Sequence, residues 1–372
     1  MRRPLLNLGL ALIWLSLALW PLGAGATPQP TPTPSASGPD PQRLQAVQKL
    51  CQRALASRPY FEVGYSIIHI PSGRQISHKG QKLFPLASTF KIPVLLEACR
   101  QMQNQVLPYN IDHLLSLRRQ DICIGSGDLQ YEPLGSKWTV DQLLTEMIIS
   151  SDNTATDMII GQIGSAPLRD FMPNLGLTHN RIFLTNRQAW LLSLGRHVGL
   201  PSSDPEKIAA YWQKLAPKEQ WKLAQEVERE HLTLERSLFQ DWEDRSGNYY
   251  SEAKFMRVAQ TVDNLSSPQD FSLLLAKLWR GEVLTPSWTE YALSILGRQR
   301  SRSRLPRLLP PQTAVYHKTG TIAGVVNDSG ILISKRGHPL AVTVFVQGAN
   351  SSEINSASQL IGELAKIAWD NL

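Results

Sequence analysis

Three short strings of polar residues contain the residue types that an acyl-transfer site built on a serine needs. They are Ser88-Thr89-Phe90-Lys91, Ser151-Asp152-Asn153 and Lys318-Thr319-Gly320, in that order along the 372-residue chain. A nucleophilic serine needs an adjacent base, and a lysine three residues later on a helix lies on the same face. Each string alone is a weak signal, because short motifs also occur by chance. Their order and context make the set specific.

The residues around the first string resemble a known family. The stretch Phe84 to Pro93 resembles the nucleophile helix of serine β-lactamases and penicillin-binding proteins. S-x-x-K, S-D-N and K-T-G are the signature set of class A β-lactamases and their penicillin-binding relatives, and the resemblance covers nearly everything after about Pro41. It implies a serine hydrolase that forms an acyl-enzyme with a small-molecule β-lactam or a peptidoglycan-derived substrate. No cofactor is implied, and the eight histidines form no metal-ligand motif.

The resemblance assigns the catalytic roles to three side chains and two backbone amides. Ser88 is the nucleophile, Lys91 accepts its proton, and Ser151 passes a proton to the leaving nitrogen. The amides of Ser88 and Thr321 form the oxyanion hole, whose donors are each worth about 10²- to 10³-fold in other enzymes. A lysine buried beside the serine has a lowered pKa, because desolvation disfavours its charged form.

Substrate binding falls to the second and third strings by the same resemblance. Asn153 positions the catalytic lysine and the substrate amide, and the S-D-N string is also typical of a helix N-cap. Lys318 holds the substrate carboxylate and Thr319 shares it, while Gly320 lets the substrate approach the strand edge and Thr321 completes the strand. The loop Gly125-Ser126-Gly127 is expected on the rim of the cleft, or as a simple turn.

The chain departs from the family pattern where the deacylating residue is expected. Class A enzymes carry a glutamate after S-D-N that activates the hydrolytic water. Between Met158 and Ser203 the only acid is Asp170, and Arg187 stands near the expected place. A second departure is Asn327, at a position where many class A enzymes have a basic residue.

The S-D-N and K-T-G strings are also unusually far apart, which predicts a helical insertion at about 200–263. Its glutamates could supply the missing base, although a plain surface helix is the simpler interpretation. The candidates are Glu226, Glu228, Glu230 and Glu235.

Three functions remain open at this point, since acylation is better supported than turnover. The first is a β-lactamase with weak deacylation. The second is a D-alanyl-D-alanine carboxypeptidase or esterase of the penicillin-binding type, and the third is a covalent β-lactam-binding sensor that uses the insertion as a partner surface. All three share the nucleophile and differ in the activation of one water.

The N-terminus predicts export. Residues 1–26 read as a signal peptide, with two arginines, an apolar run and Ala24-Gly25-Ala26, and the protein is then expected in the periplasm or outside the cell. The alternative is an uncleaved membrane anchor. Residues 27–41 form a Pro/Thr-rich linker, too polar to fold, and 42–372 a single catalytic domain.

The order of elements predicts an α+β fold. A helix, two strands, a long helical middle, three strands and a final helix imply a five-stranded antiparallel sheet flanked by terminal helices, plus an all-helical lobe. This is the β-lactamase/transpeptidase-like arrangement, with the site between the two regions. The nucleophile helix is expected to begin near Ser88, because Pro93 is tolerated only in a first turn.

Charge and cysteine content limit the partners. The net charge of +7 is mild, and the arginine run 298–307 is expected to be a solvated loop. The run lacks interleaved aromatic residues, so no nucleic-acid partner is expected, and the protein is expected to be a monomer. Cys51, Cys99 and Cys123 are an odd number in an exported chain, so at most one disulfide can form.

Overall fold

The computed structural model describes residues 38–108 and 110–372. The predicted signal peptide and most of the predicted linker therefore lie outside the described residues. No helix within these two ranges is long and apolar enough to cross a membrane.

Thirteen α-helices and ten strands, numbered in chain order, make up this described part of the chain. The strands are β1 Glu62–His69, β2 Arg74–His78, β3 Phe84–Pro85, β4 Leu114–Ser116, β5 Lys137–Thr139, β6 Asn180–Arg181, β7 Leu265–Ser266, β8 Val315–Ile322, β9 Gly324–Ile333 and β10 Pro339–Ala349. The helices are α1 Pro41–Ala56, α2 Lys91–Gln103, α3 Val140–Ile149, α4 Asn153–Ile163, α5 Ser165–Asn174, α6 Asn186–Ser193, α7 Pro205–Lys214, α8 Pro217–Glu230, α9 Arg236–Tyr249, α10 Glu252–Thr261, α11 Pro268–Trp279, α12 Pro286–Gly297 and α13 Ile354–Asn371.

The central sheet has five antiparallel strands in the order β2-β1-β10-β9-β8. Its inner strands are buried on both faces, which explains why β10 is a nearly continuous apolar run; β9 is equally buried but carries the polar residues Asn327, Asp328 and Ser329 in its middle. One face packs against α1 and α13, through Tyr65 and Leu360 among others. The other face packs against α11 and the helical lobe, through Phe345 and Phe271. Strand β8, which carries the K-T-G string, lies at the edge.

Helices α2 to α5 and α12 form the helical lobe, whose core is continuous with that face of the sheet. The predicted fold class is confirmed: an antiparallel five-stranded sheet with terminal helices, and an all-helical lobe beside it. Local signals explain the ends of several helices. Asp40 caps α1 and Thr139 caps α3, each by accepting a hydrogen bond from an amide in the first turn.

The segment 200–263 folds into helices α7 to α10. They share a hydrophobic cluster with α6, in which Trp212, Phe239 and Val258 pack around Leu191 and neighbouring residues. That this segment is an insertion relative to the family stays a prediction.

All three cysteines are buried free thiols. Burial raises the pKa of Cys51 to about 12, and raises the pKa values of Cys99 and Cys123 as well. Cys123 lies close enough to Lys91 for the lysine charge to oppose that rise.

Candidate active site

Ser88 lies on a 3-10 turn, Ala87–Phe90, rather than in the first turn of an α-helix. The expectation that the α-helix begins near Ser88 is therefore wrong by one turn, because α2 begins at Lys91. The reason is Pro93, whose nitrogen cannot donate the bond that a helix begun at Ser88 would require. Starting at Lys91 puts the proline in the first turn, where no donor is needed. The amide of Lys91 bonds back to the carbonyl of Ser88, so the two residues remain one turn apart.

Lys91 is completely buried and reaches the S-D-N string. Its Nζ donates to the backbone oxygen of Ser151 at 2.7 Å, to Oδ1 of Asn153 at 2.8 Å and to Oγ of Ser151 at 3.3 Å. Desolvation lowers the pKa of Lys91 to about 8, although the carboxylates of Asp152 and Asp157 oppose the change. An amine with this pKa can serve as a base near neutral pH.

Lys318 approaches the same serine from the sheet. Its Nζ donates to Oγ of Ser151 at 3.0 Å and to the carbonyl of Thr319 at 2.9 Å. Burial, and then the positive charge of Lys91, lower its pKa well below the usual range. The Ser151 hydroxyl oxygen accepts from both amines, so its own hydrogen is free to point toward a substrate.

The S-D-N turn is held by the loop that contains Gly125-Ser126-Gly127. Asp152 caps α4 by accepting from the amide of Ala155 at 2.8 Å, as the string predicts. The Asn153 amide donates to the carbonyl of Ser126 at 2.9 Å, and its side chain donates to that of Ile124 at 2.9 Å. Ser151 itself has φ +61°, an uncommon conformation for a residue other than glycine.

Gly320 brings strand β8 against the nucleophile turn. A Cβ at this position would lie 2.7 Å from the carbonyl oxygen of Leu86, 3.0 Å from the amide of Thr89 and 3.1 Å from that of Ser88. Only glycine fits so close a backbone approach. The approach places the backbone of Gly320 beside the amide of Ser88.

Arg304 belongs to the site, although no motif in the sequence pointed to it. The expectation that the arginine run is a solvated loop is wrong for this residue, which is buried. Its guanidinium donates to the carbonyls of Gly320 at 2.7 Å and Asn327 at 2.6 Å, and to Oγ1 of Thr321. The sequence contained one signal for this role. Many class A enzymes have a basic residue at the position of Asn327, so its neutral side chain indicated that another residue would have to supply the positive charge. Asn327 instead donates to the carbonyl of Pro85 at 2.7 Å.

Arg187 is buried and contacts other residues than Lys91, Ser151 and Lys318. Its amide donates to Asp157 at 2.8 Å, which holds the start of α6 against α4. Its buried guanidinium donates to the carbonyls of Ile122 at 2.6 Å and His231 at 2.5 Å, and its Nε lies 3.5 Å from Glu228. The position near which the family has its glutamate is therefore used to anchor α8.

The four candidate glutamates all make contacts elsewhere. Glu226 and Glu230 flank His197, at 3.8 Å and 2.7 Å from its ring nitrogens. Glu235 pairs with Arg119, and Glu228 faces Arg187. Burial raises the pKa of Glu228 to about 7. Within the described residues, none of the four forms a hydrogen bond or ion pair with Ser88, Lys91, Ser151 or Lys318.

Comparison with known proteins agrees with this geometry. Residues 45–372 match the model of the family described as "Beta-lactamase enzyme family". The chain is 30% identical over 114 residues to β-lactamase L2 of Stenotrophomonas maltophilia, an alignment that covers 30% of this chain and spans 37% of that enzyme. It is 24% identical over 296 residues to the extended-spectrum β-lactamase PER-1 of Pseudomonas aeruginosa, covering 77% of this chain and 74% of that enzyme.

Solved structures share the fold at low sequence identity. A PBP-A mutant in an acyl-enzyme complex with penicillin G superposes with a TM-score of 0.62 at 22% identity, covering 88% of this chain and 96% of that one. The extended-spectrum β-lactamase TLA-1 superposes with a TM-score of 0.63 at 18% identity, covering 88% and 98%. Together, the matches confirm the resemblance that the three strings carry.

Proposed function

Because this chain belongs to the β-lactamase enzyme family, we propose that it opens β-lactam rings by acylation of Ser88 and releases the product slowly. It is a serine β-lactamase-type hydrolase. One observation carries the proposal: the hydroxyl of Ser151 lies 3.3 Å and 3.0 Å from the amines of two buried lysines, Lys91 and Lys318. Such an arrangement serves to move a proton onto a leaving nitrogen.

The acylation step that we propose uses these groups in turn. Neutral Lys91 removes the proton of Ser88, and the serine oxygen forms a bond to the lactam carbonyl carbon. The amides of Ser88 and Thr321 stabilise the negative charge on the carbonyl oxygen. When the carbon–nitrogen bond breaks, the nitrogen takes the proton of Ser151, and protonated Lys91 replaces it. The base is then neutral again and Ser88 is esterified.

The positive charge of the site selects an anionic substrate. Lys318 and Arg304 are buried side by side along β8, and burial lowers the pKa of each. A substrate carboxylate placed against Thr319 and Thr321 would accept hydrogen bonds there and offset both charges.

Slow deacylation is supported by the arrangement around Arg187. A hydrolytic water needs a base beside the ester. Arg187 stands near the place where the family has its glutamate, and its guanidinium is not a base; it donates to the carbonyls of Ile122 and His231. The four candidate glutamates of 200–263 are engaged with Arg187, His197 and Arg119. The absence of a base in these contacts also favours the second candidate, a penicillin-binding carboxypeptidase or esterase. If deacylation were absent altogether, the protein would act as a covalent β-lactam sensor.

We extend the proposal to the location of the protein. The arginines and apolar run of residues 1–26 support export to the periplasm or the outside, where β-lactams and peptidoglycan fragments are encountered.

A burst-phase assay tests the function. The purified protein is mixed with a chromogenic cephalosporin, and the adduct is followed by intact mass, with Ser88→Ala as the control. We expect a stoichiometric burst, a lasting adduct and slow turnover, all absent in Ser88→Ala. Rapid sustained turnover would contradict slow deacylation, and absence of any adduct would refute the proposed acylation.

A further inference from the structure

The peptide just before the nucleophile is held in a strained conformation. Ala87 has φ +46°, in the left-handed region, where the Cβ of a residue other than glycine crowds the following carbonyl oxygen. Strain of this kind persists only where the surroundings determine the backbone conformation. The orientation of Ser88 depends on this peptide, so the groups that hold Ala87 also position the nucleophile.

Two sets of contacts hold this segment from opposite sides. On the sheet side, Asn327 donates to the carbonyls of Pro85 and Leu86 at 2.7 Å and 3.2 Å. On the other side, Oδ2 of Asp263 accepts the amide proton of Ala87 at 2.7 Å, and the carbonyl of Asn264 accepts that of Leu86 at 2.8 Å. Asp263 is thus the side chain that binds the strained residue directly.

Asp263 occupies a junction of the fold. It follows α10 by two residues, at the end of the helical segment 200–263. Its other oxygen accepts from the amide of Asn264 at 2.8 Å, and the Asn264 side chain accepts from the amides of Phe183 and Leu184 at 2.9 Å each. The α10 end and the 183–184 backbone therefore meet at the turn that carries Ser88.

The environment of Asp263 shows that its carboxyl is committed to these amides. Desolvation raises the pKa of Asp263 to about 7. Hydrogen bonds from backbone amides oppose this rise, and the amide of Ala87 contributes most among them. No charged side chain contributes to that balance in the part of the chain described. The structure provides no ion-pair role for the residue.

We propose that Asp263 is a positioning residue for acylation, which holds Ala87 in its strained conformation and so aims Ser88 at the substrate. The inference rests on the proposed acylation of Ser88. The function of Asp263 requires an acceptor oxygen at this place rather than a negative charge.

Three variants test the role: Asp263→Ala, Asp263→Asn, and Asp263→Ala combined with Ala87→Gly. The acylation rate constant and the dissociation constant of the non-covalent complex are measured separately by stopped flow with a chromogenic cephalosporin. We expect Asp263→Ala to lower the rate constant about 10- to 100-fold, with the dissociation constant unchanged, because small displacements of reacting groups have effects of this size. Asp263→Asn keeps an acceptor oxygen and should remain within about threefold of the parent. Glycine adopts the left-handed conformation freely, so Ala87→Gly should restore most of the lost rate.

Asp40→Ala is the matched control. Asp40 also accepts a backbone amide proton, that of Arg43 at 2.8 Å, but at the start of α1. It should lower thermal stability without changing acylation. The inference is overturned if Asp263→Ala acylates within twofold of the parent, if Asp263→Asn is as slow as Asp263→Ala, or if Ala87→Gly gives no recovery. If Asp263→Ala does not fold, Asp263→Leu, which keeps a similar side-chain volume but has no acceptor oxygen, is measured with and without Ala87→Gly and judged by the same limits. An unmodified parent protein would refute the proposed function itself, a separate result.

Discussion

The buried amine of Lys91 makes the stability of the protein depend on pH in a defined direction. Its pKa is about 8 in the folded protein, against 10.5 for an unperturbed lysine. Between these two values the unfolded chain binds a proton that the folded chain does not, so the free energy of unfolding rises with pH. Each pKa unit corresponds to about 1.4 kcal/mol, and the total rise due to Lys91 is therefore about 3 kcal/mol.

A comparison of two variants isolates this contribution. Lys318 titrates beside Lys91, so the measurement uses Lys318→Met as the reference and Lys318→Met with Lys91→Met as the test. Urea unfolding is recorded for both from pH 7 to pH 10.5. We expect their difference in unfolding free energy to change by about 3 kcal/mol across this range, with the reference gaining stability as pH rises. Groups present in both proteins, such as the tyrosines, cancel.

The same amine should control catalysis. With both lysines present, the acylation rate constant should rise with pH and level off above an apparent pKa near 8, because only neutral Lys91 accepts the proton of Ser88. A stability difference that stays flat from pH 7 to pH 10.5 would refute the argument. It would mean that Lys91 keeps an ordinary pKa and remains charged in the folded site.

Three further changes have defined outcomes. Gly320→Ala should slow acylation about 100-fold in a folded protein, because the added Cβ would lie 2.7 Å from a backbone carbonyl oxygen of the nucleophile turn. The control is Gly247→Ala, which should acylate normally because nothing lies within 4 Å of its added Cβ. Arg304→Met leaves two backbone carbonyls without their guanidinium donor, so unfolding free energy should fall by about 2 to 4 kcal/mol in urea, and a loss below about 0.5 kcal/mol would contradict the contacts. Burial raises the pKa of Glu228 from 4.5 to about 7, so between these values the folded state holds a proton that the unfolded chain has lost, and the free energy of unfolding falls as pH rises. Glu228→Gln should show a shallower fall of this free energy with pH than the parent. Equal slopes for the two proteins would argue against the burial of Glu228.

The residue types at short spacing were sufficient to predict much of the site. Lys91 and Ser151 do meet, since one lies a turn after the nucleophile and the other lies just before α4, which packs on α2. The sheet and its terminal helices followed from the alternation of strand and helix patterns along the chain.

The remaining features depend on contacts that no local pattern encodes. Arg304 looked like one member of an exposed arginine run, and only the close passage of β8 explains its burial. In the sequence Asp263 marks only the end of a long segment, although its carboxyl accepts from the amide of the residue before the nucleophile, 176 positions away. Pro93 lies in the first turn of α2, but the 3-10 turn before that helix was not predicted, because its bonds from Thr89 to Leu86 and from Lys91 to Ser88 join backbone groups that every sequence has.

The three buried thiols have a consequence for where this protein can be made and used. A structure without a disulfide has no covalent bond for glutathione or dithiothreitol to reduce, and thiols with raised pKa values contain little of the reactive thiolate. Its melting temperature should therefore be the same with and without reductant. The fold is indifferent to the redox potential of its compartment, so it can be produced in a reducing cytosol and transferred to an oxidising medium without any change in covalent structure.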